Sequence, residues 1–306
     1  MSKFGRSWML FRRSLQVVGR NKKLLLFPVV VALLTGLVAL FFLASIGLWG
    51  TGYGYTTAAH WQAVAHRWFA WEPATKTVHA SPAGCVLLVA LYLVSMFLAT
   101  FFNVAFYNEI LKALKGQPVS IRGGLAFALT RWKAIAAWSL LSGVVGLIIK
   151  TLEERVGLIG RWIVRLVGVA WSVASVFVVP VIVREGAVAT PVRFLKTSAG
   201  LLKRTWGESL IGYLGVQFGG LLVLAGSLVL LGASVYASIR LDNYWILGTA
   251  LTVWAVGLVA FLYLLHVASQ IYLGALYLYA SEGAPPAPFE PEQMNLAWRV
   301  RRDRQS

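Results

Sequence analysis

Few side chains in this sequence could do chemistry, and those that could lie within or beside long apolar runs. His266 falls at helical spacing with Tyr263, Ser269, Gln270 and Tyr277. Thr100, Asn103 and Tyr107 share a face of an earlier run that ends in Asn108 and Glu109, and Gln217 sits in a third run. An imidazole and three carboxamides can donate and accept hydrogen bonds to a solute, and polar groups at membrane depth mark binding sites or pathways by default. Asn103, Gln217, His266 and Gln270 therefore form a candidate polar pocket. The competing reading is hydrogen bonding between helices, worth about 0.6 kcal/mol on average in a membrane.

Other chemistry is hard to build from this chain. There is no P-loop, no HExxH and no GxSxG elbow, and two carboxylates never meet within an apolar run. No catalytic residue is expected, and the chain reads as non-enzymatic. A zinc site needs three or four converging ligands. His60, His66 and His79 have spacings of six and thirteen, which do not suggest one, so neither metal nor cofactor is expected. The neighbouring Trp61, Trp68 and Trp71 suit a bilayer interface, and predict an external interfacial helix ending before Pro73. Cys85 is alone, which excludes an internal disulfide.

The elements that must position these groups follow from composition. Hydrophobic residues make up 58% and charged residues 13% of the 306 residues, about half the ~25% charged content of soluble domains. Mean hydropathy is +0.72. Stretches without Asp, Glu, Lys or Arg run over 24–66, 77–108, 134–149, 166–183, 209–239 and 243–281. A spanning helix needs about 20 apolar residues, so six spans are predicted, at about 24–48, 85–107, 133–150, 164–183, 209–235 and 246–279. The runs are continuously apolar and lack the alternation of a membrane barrel. The first is read as a retained helix, because its basic leader and apolar run are both longer than a secretory signal requires. The expected fold is an all-α, six-helix membrane bundle over 1–282, followed by a cytoplasmic Pro-rich and then basic tail over 283–306.

Charge sets the expected orientation. Of 28 Lys and Arg residues, 21 fall in the N-terminal segment, the second and fourth loops and the tail, and 7 in the remaining loops. By the positive-inside rule both termini are expected in the cytoplasm, with the protein a multi-pass component of an inner (plasma) membrane. The net charge of +17 then serves orientation and attraction to anionic headgroups. Nucleic acid is not an expected partner, because the basic residues are dispersed over four segments.

A pattern recurs three times. Phe4, Trp8, Phe11, Leu15 and Val18 form one face of a basic amphipathic stretch, as do Ile121, Leu125, Ala128 and Trp132, and then Val192, Leu195, Ala199, Leu202 and Trp206. Each stretch precedes an outward span. Three units of interfacial helix plus hairpin are expected, with boundaries near 108 and 186. Helices of this kind lie flat on a membrane with the apolar face down. Their cations Arg12, Arg13, Lys22, Lys23, Arg131, Lys133, Lys203 and Arg204 would then contact anionic phospholipid. Arg161 and Arg165, beside Trp162 in an external loop, could hold a lipid phosphate. Gly215 and Gly219 form a GxxxG pair suited to close packing of helices, either within the chain or between copies.

Two blocks carry a resemblance. The first is Val179-Pro180-Val181-Ile182-Val183-Arg184-Glu185-Gly186, followed by Pro191-Val192-Arg193-Phe194-Leu195-Lys196-Thr197-Ser198 and Trp206-Gly207-Glu208. The second is Ala275-Leu276-Tyr277-Leu278-Tyr279-Ala280-Ser281-Glu282-Gly283, followed by Pro288-Phe289. Both resemble bacterial six-span membrane proteins classed as a domain of unknown function. They are more distantly similar to the membrane domain attached to some glycerophosphodiester phosphodiesterases. The resemblance implies a membrane bundle and no catalytic residue, and the first external loop matches it least well. Two functions are expected from all of this: a structural, assembly or lipid-interacting membrane protein, or a small transporter or channel using the polar pocket.

Overall fold

A computed structural model describes residues 3–72, 77–186, 190–204 and 209–289; for 3–8, 71–72, 77–78, 204 and 209–222 it describes the backbone alone. The long apolar runs form helices, since a chain in hydrocarbon must satisfy every backbone N–H and C=O within itself. Among the described residues the helices are α1 (Lys3–Arg20), α2 (Leu26–Gly47), α3 (Ala58–Trp68), α4 (Pro82–Leu114), α5 (Ile121–Thr130), α6 (Trp132–Arg155), α7 (Leu158–Ala174), α8 (Val178–Glu185), α9 (Pro191–Arg204), α10 (Ser209–Arg240) and α11 (Tyr244–Glu282). Six helical segments are long and apolar enough to cross a membrane: Lys22–Gly47, Pro82–Leu114, Trp132–Arg155, Leu158–Glu185, Val223–Arg240 and Tyr244–Glu282. The protein is an all-α, multi-pass membrane bundle. A small antiparallel hairpin, β1 (Phe69–Glu72) with β2 (Thr77–Ala80), adjoins α3 in the first long loop.

Local chemistry sets the helix ends. Ser81 Oγ accepts the Gly84 N–H at 3.0 Å, with Pro82 at the first helical position of α4. Ser120 Oγ caps α5 through the Gly123 N–H at 3.2 Å, and Asn243 Oδ1 caps α11 through the Trp245 N–H at 3.0 Å. The three returning segments end alike: Gly116, Gly186 and Gly283 follow α4, α8 and α11 with φ of 72°, 88° and 75°. Only glycine adopts that backbone without strain.

The fourth span, expected as one helix, is interrupted at Ser175–Phe177. Pro180 has no N–H, and its ring conflicts with the carbonyl four residues earlier, at Val176. The wholly buried Ser198 of α9 repairs the break. Its hydroxyl donates to the Ala174 carbonyl at 2.6 Å and accepts the Phe177 N–H at 3.0 Å.

Three units close into a ring. Each short amphipathic helix packs on the hairpin of the unit before it: α5 on α4, α9 on α7 and α8, and α1 on α10 and α11. This differs from the expectation that the apolar faces lie on lipid. Leu10, Phe11, Val17 and Val18 of α1, Gly124 and Ala128 of α5, and Phe194 and Leu202 of α9 are all buried within the protein.

Along their axes the helices divide into two sections. At one end α4, α8 and α11 pack closely. A Cβ on Gly274 would lie 2.8 Å from Ile110 Cγ2, and the Phe177 and Tyr277 rings are 6.0 Å apart. Toward the hairpin tips the helices splay and their apolar side chains face outward, as in Leu33 (64% exposed) and Ile159 (81%). The splayed sections run through 26–47, 82–99, 158–174 and 244–264. At 1.5 Å per residue they are roughly 25–33 Å long, close to the ~30 Å hydrocarbon core of a bilayer.

Candidate functional site

The polar residues singled out from the sequence meet on the seam between α4 and α11. These helices run parallel there: Tyr107 faces Gln270, Ile110 faces Gly274, and Lys115 faces Glu282. The Tyr107 hydroxyl donates to Gln270 Oε1 at 2.5 Å. One helical turn toward the splayed end, Asn103 precedes Tyr107 and His266 precedes Gln270 by four residues, and both are exposed while their chain neighbours Val104 and Val267 are buried. The Tyr263 hydroxyl donates to the Leu25 carbonyl, which ties the start of α2 to the same place. Of the four pocket residues, Gln270 is bonded across this seam, and Asn103 and His266 lie one turn from it on α4 and α11. Gln270 is engaged by Tyr107, and the side chain of Gln217 lies outside the described residues. So do the side chain of Arg204 and the surroundings of Gly215 and Gly219.

Sequence reasoning did not single out Glu109. It is wholly buried near the packed end of α4. Its carboxylate accepts from Lys112 Nζ at 2.7 Å, Asn108 Nδ2 at 2.8 Å and the Ser120 backbone N–H at 2.7 Å. A buried carboxylate is tolerated when it is both paired and hydrogen-bonded; here it also fixes the start of α5. Gly124 permits the approach, since a Cβ there would lie 2.8 Å from the Ala105 carbonyl and 3.0 Å from Glu109 Cγ. A second carboxylate, Glu282, joins three helix ends, accepting from Lys115 at 2.9 Å and Arg184 at 2.6 Å. A third, Glu185, lies 3.6 Å from Arg193. The available sequence signal was positional: Glu109, Glu185 and Glu282 each stand within seven residues of the glycine that ends a returning segment.

The basic residues surround this packed end. Arg12, Lys22, Lys23, Lys133 and Lys203 are exposed. Arg13 is half-buried and donates to Gln16 at 3.4 Å. Arg131 is also half-buried, with its guanidinium over the Phe127 ring and close against Gly186.

At the splayed end, α6 and α7 enclose a cleft of about 550 Å³ lined by Gly146, Ile149, Arg165, Gly168, Trp171 and Ser172 among others. Gly146, Gly168 and Ser172 leave the groove because they carry little or no side chain to fill it. Arg165 donates to Glu153 at 2.6 Å and lies 5.9 Å from the Trp162 ring, while Arg161 is exposed. In the first long loop the His60 ring is wholly buried. Its Nε2 lies 2.8 Å from the Gly47 carbonyl and its Nδ1 2.6 Å from Thr51 Oγ1. A carbonyl can only accept, so a neutral ring carries its proton on Nε2 and Thr51 donates to Nδ1. Both nitrogens thus serve the loop's own structure. Among the described residues no three His, Cys, Asp or Glu gather at metal-binding distance.

No curated protein matches the chain, and no solved structure does. Residues 82–286 match one family, whose description reads "Family of unknown function". The match starts at the first residue of α4 and takes in all three returning segments; the first external loop, least like the family in its motifs, precedes it. As the matched range spans more than half of the sequence, including the first block and the second as far as Gly283, the chain belongs to this family of unknown function, DUF6159.

Proposed function

We propose that the protein is a non-enzymatic, lipid-interacting structural component of the bacterial inner membrane, with its splayed end in hydrocarbon and its packed end at the cytoplasmic headgroups. The observation that carries this reading is the division of the helices. Apolar side chains face outward over a layer as thick as a bilayer core, and exposed cations encircle the end where packing begins. The distribution of Lys and Arg supports cytoplasmic termini. The short helices bury their apolar faces in protein, so Arg12, Lys22, Lys23, Lys133 and Lys203 act on anionic phospholipid as a polar rim and not as surface-lying anchors. The distant similarity to the membrane domain of some glycerophosphodiester phosphodiesterases concerns that membrane domain alone.

The test is thermal unfolding in nanodiscs of phosphatidylcholine with and without phosphatidylglycerol. The anionic lipid should raise the midpoint, and neutralising Lys22, Lys23, Lys133 and Lys203 together to Gln should remove the increment. An equal midpoint in both lipids refutes the reading.

The rival is a transporter or channel, favoured by the exposure of Asn103 and His266 at the edge of the apolar layer. Against it, Ile110, Phe177, Ile182, Tyr272 and Leu276 fill the space among α4, α8 and α11. Solute flux in liposomes that is lost with His266→Ala would establish this rival.

A further inference from the structure

We propose that the edge of the α4–α11 seam, one turn beyond the Tyr107–Gln270 bond, is a binding site for one anionic phospholipid, with Asn103 and His266 donating hydrogen bonds to its headgroup phosphate. The proposal rests on the reading that the splayed end lies in the bilayer, and it gives that reading a defined site.

Asn103 and His266 are exposed, and among the described residues neither makes a hydrogen bond. One turn deeper, the equivalent positions Tyr107 and Gln270 bond to each other. The seam is thus satisfied up to Tyr107 and Gln270, and the two donors beyond it are unused. An occupant with acceptor oxygens at this level would pair with both donors.

The level matches a headgroup. The Tyr263 hydroxyl holds the Leu25 carbonyl, and exposed Lys22 and Lys23 occupy the turn just before it. Two cations therefore stand where α2 enters the apolar layer. Beyond Asn103 and His266, toward the splayed end, α11 presents Leu262, Val259 and Val256, and α2 presents Leu33 and Leu37, all exposed. The first carboxylate on the other side, Glu109, is wholly buried and already accepts from Lys112. Donors and cations at the base, apolar walls above and no free carboxylate on α4 fit a phosphodiester with acyl chains. They do not fit a cation or a sugar. Phosphate oxygens accept well from such donors, and bonds to a charged acceptor are the stronger class.

The experiment is native mass spectrometry of the full chain in a neutral maltoside detergent, titrated with phosphatidylglycerol. The wild type should retain one tightly held lipid. The Asn103→Leu/His266→Leu variant should bind it roughly tenfold more weakly, with its melting midpoint unchanged in lipid-free detergent. His266→Gln keeps a donor and should retain most of the affinity. Arg161→Gln/Arg165→Gln, at the opposite end, should leave the titration as in wild type.

Equal retention by wild type and the folded double variant overturns the site, as does complete competition by millimolar inorganic phosphate, which would indicate a free-anion site. Should the double variant fail to fold, His266→Leu and Asn103→Leu are read singly, and undiminished binding in both has the same consequence. Loss of the nanodisc effect in the multiple Lys variants concerns the general reading; loss of the single retained lipid concerns this site.

Discussion

The two ends of α11 have similar composition and opposite surroundings. Val253 and Val256 are 72% and 65% exposed, whereas Val267 and Ile271 are at 0%. In water the outer section would cost about 1.5–3 kcal/mol for each such side chain left exposed. In hydrocarbon the cost vanishes, because lipid tails solvate valine as well as a protein core does. Hydropathy therefore reads one uniform span where the molecule has two regimes: a lipid-solvated section that tolerates splaying, and a packed section held by shape, hydrogen bonds and ion pairs. α4 repeats the division, with exposed Val86 and Val89 at one end and buried Val104 and Ile110 at the other.

The sharpest way to break this comparison is at Glu109. Replacing it with Ala leaves the Ser120 N–H and Asn108 without their acceptor and should lower unfolding stability by about 3 kcal/mol, a value at the lower edge for buried pairs because Lys112 reaches solvent. Chemical denaturation in detergent measures it, and a loss below about 1 kcal/mol would mean the cluster holds nothing together. Next is Gly274→Val, whose Cβ must displace Ile110, at a cost of about 2 kcal/mol. Its counterpart Gly226→Val meets nothing within 4 Å at the splayed end and should be neutral. A matched pair follows: Val267→Ala should cost about 1.5 kcal/mol and Val256→Ala under about 0.5 kcal/mol. Equal losses in that pair would show that the splayed end is packed against protein. A small loss is also expected at the exposed Glu282–Arg184 pair, where Arg184→Ala should cost about 0.5 kcal/mol. Orientation can be read separately: in intact cells a Cys-free chain with cysteine at 122 should resist an impermeant maleimide, and one with cysteine at 161 should react.

Much of the architecture was legible because its causes are local. The continuous apolar runs mark the spans and the recurring amphipathic stretches mark three units, whereas the break before Pro180 was expected as continuous helix. What those stretches do was not legible. An apolar face reads the same whether it will meet lipid or a neighbouring hairpin, and α1, α5 and α9 meet hairpins. The seam was partly legible: Asn103, Gln270 and His266 shared the expected region, but the Tyr107 partner of Gln270 lies 163 residues away in the chain, and its register depends on how α4 and α11 pack. Glu109 was read only as the end of its apolar run, because a carboxylate beside Lys112 there looks solvated. Its burial follows from α5 folding back over Gly124.

Chain chemistry alone was enough for the solvent of this protein, the number of helical segments suited to it and the threefold recurrence along the chain, because hydropathy and charge act residue by residue. Which apolar surface meets protein and which is left for lipid was decided only when three hairpins closed into a ring. That choice depends on side-chain shape across distant helices, where a single methyl group at Gly274 or Gly124 would collide with its neighbour.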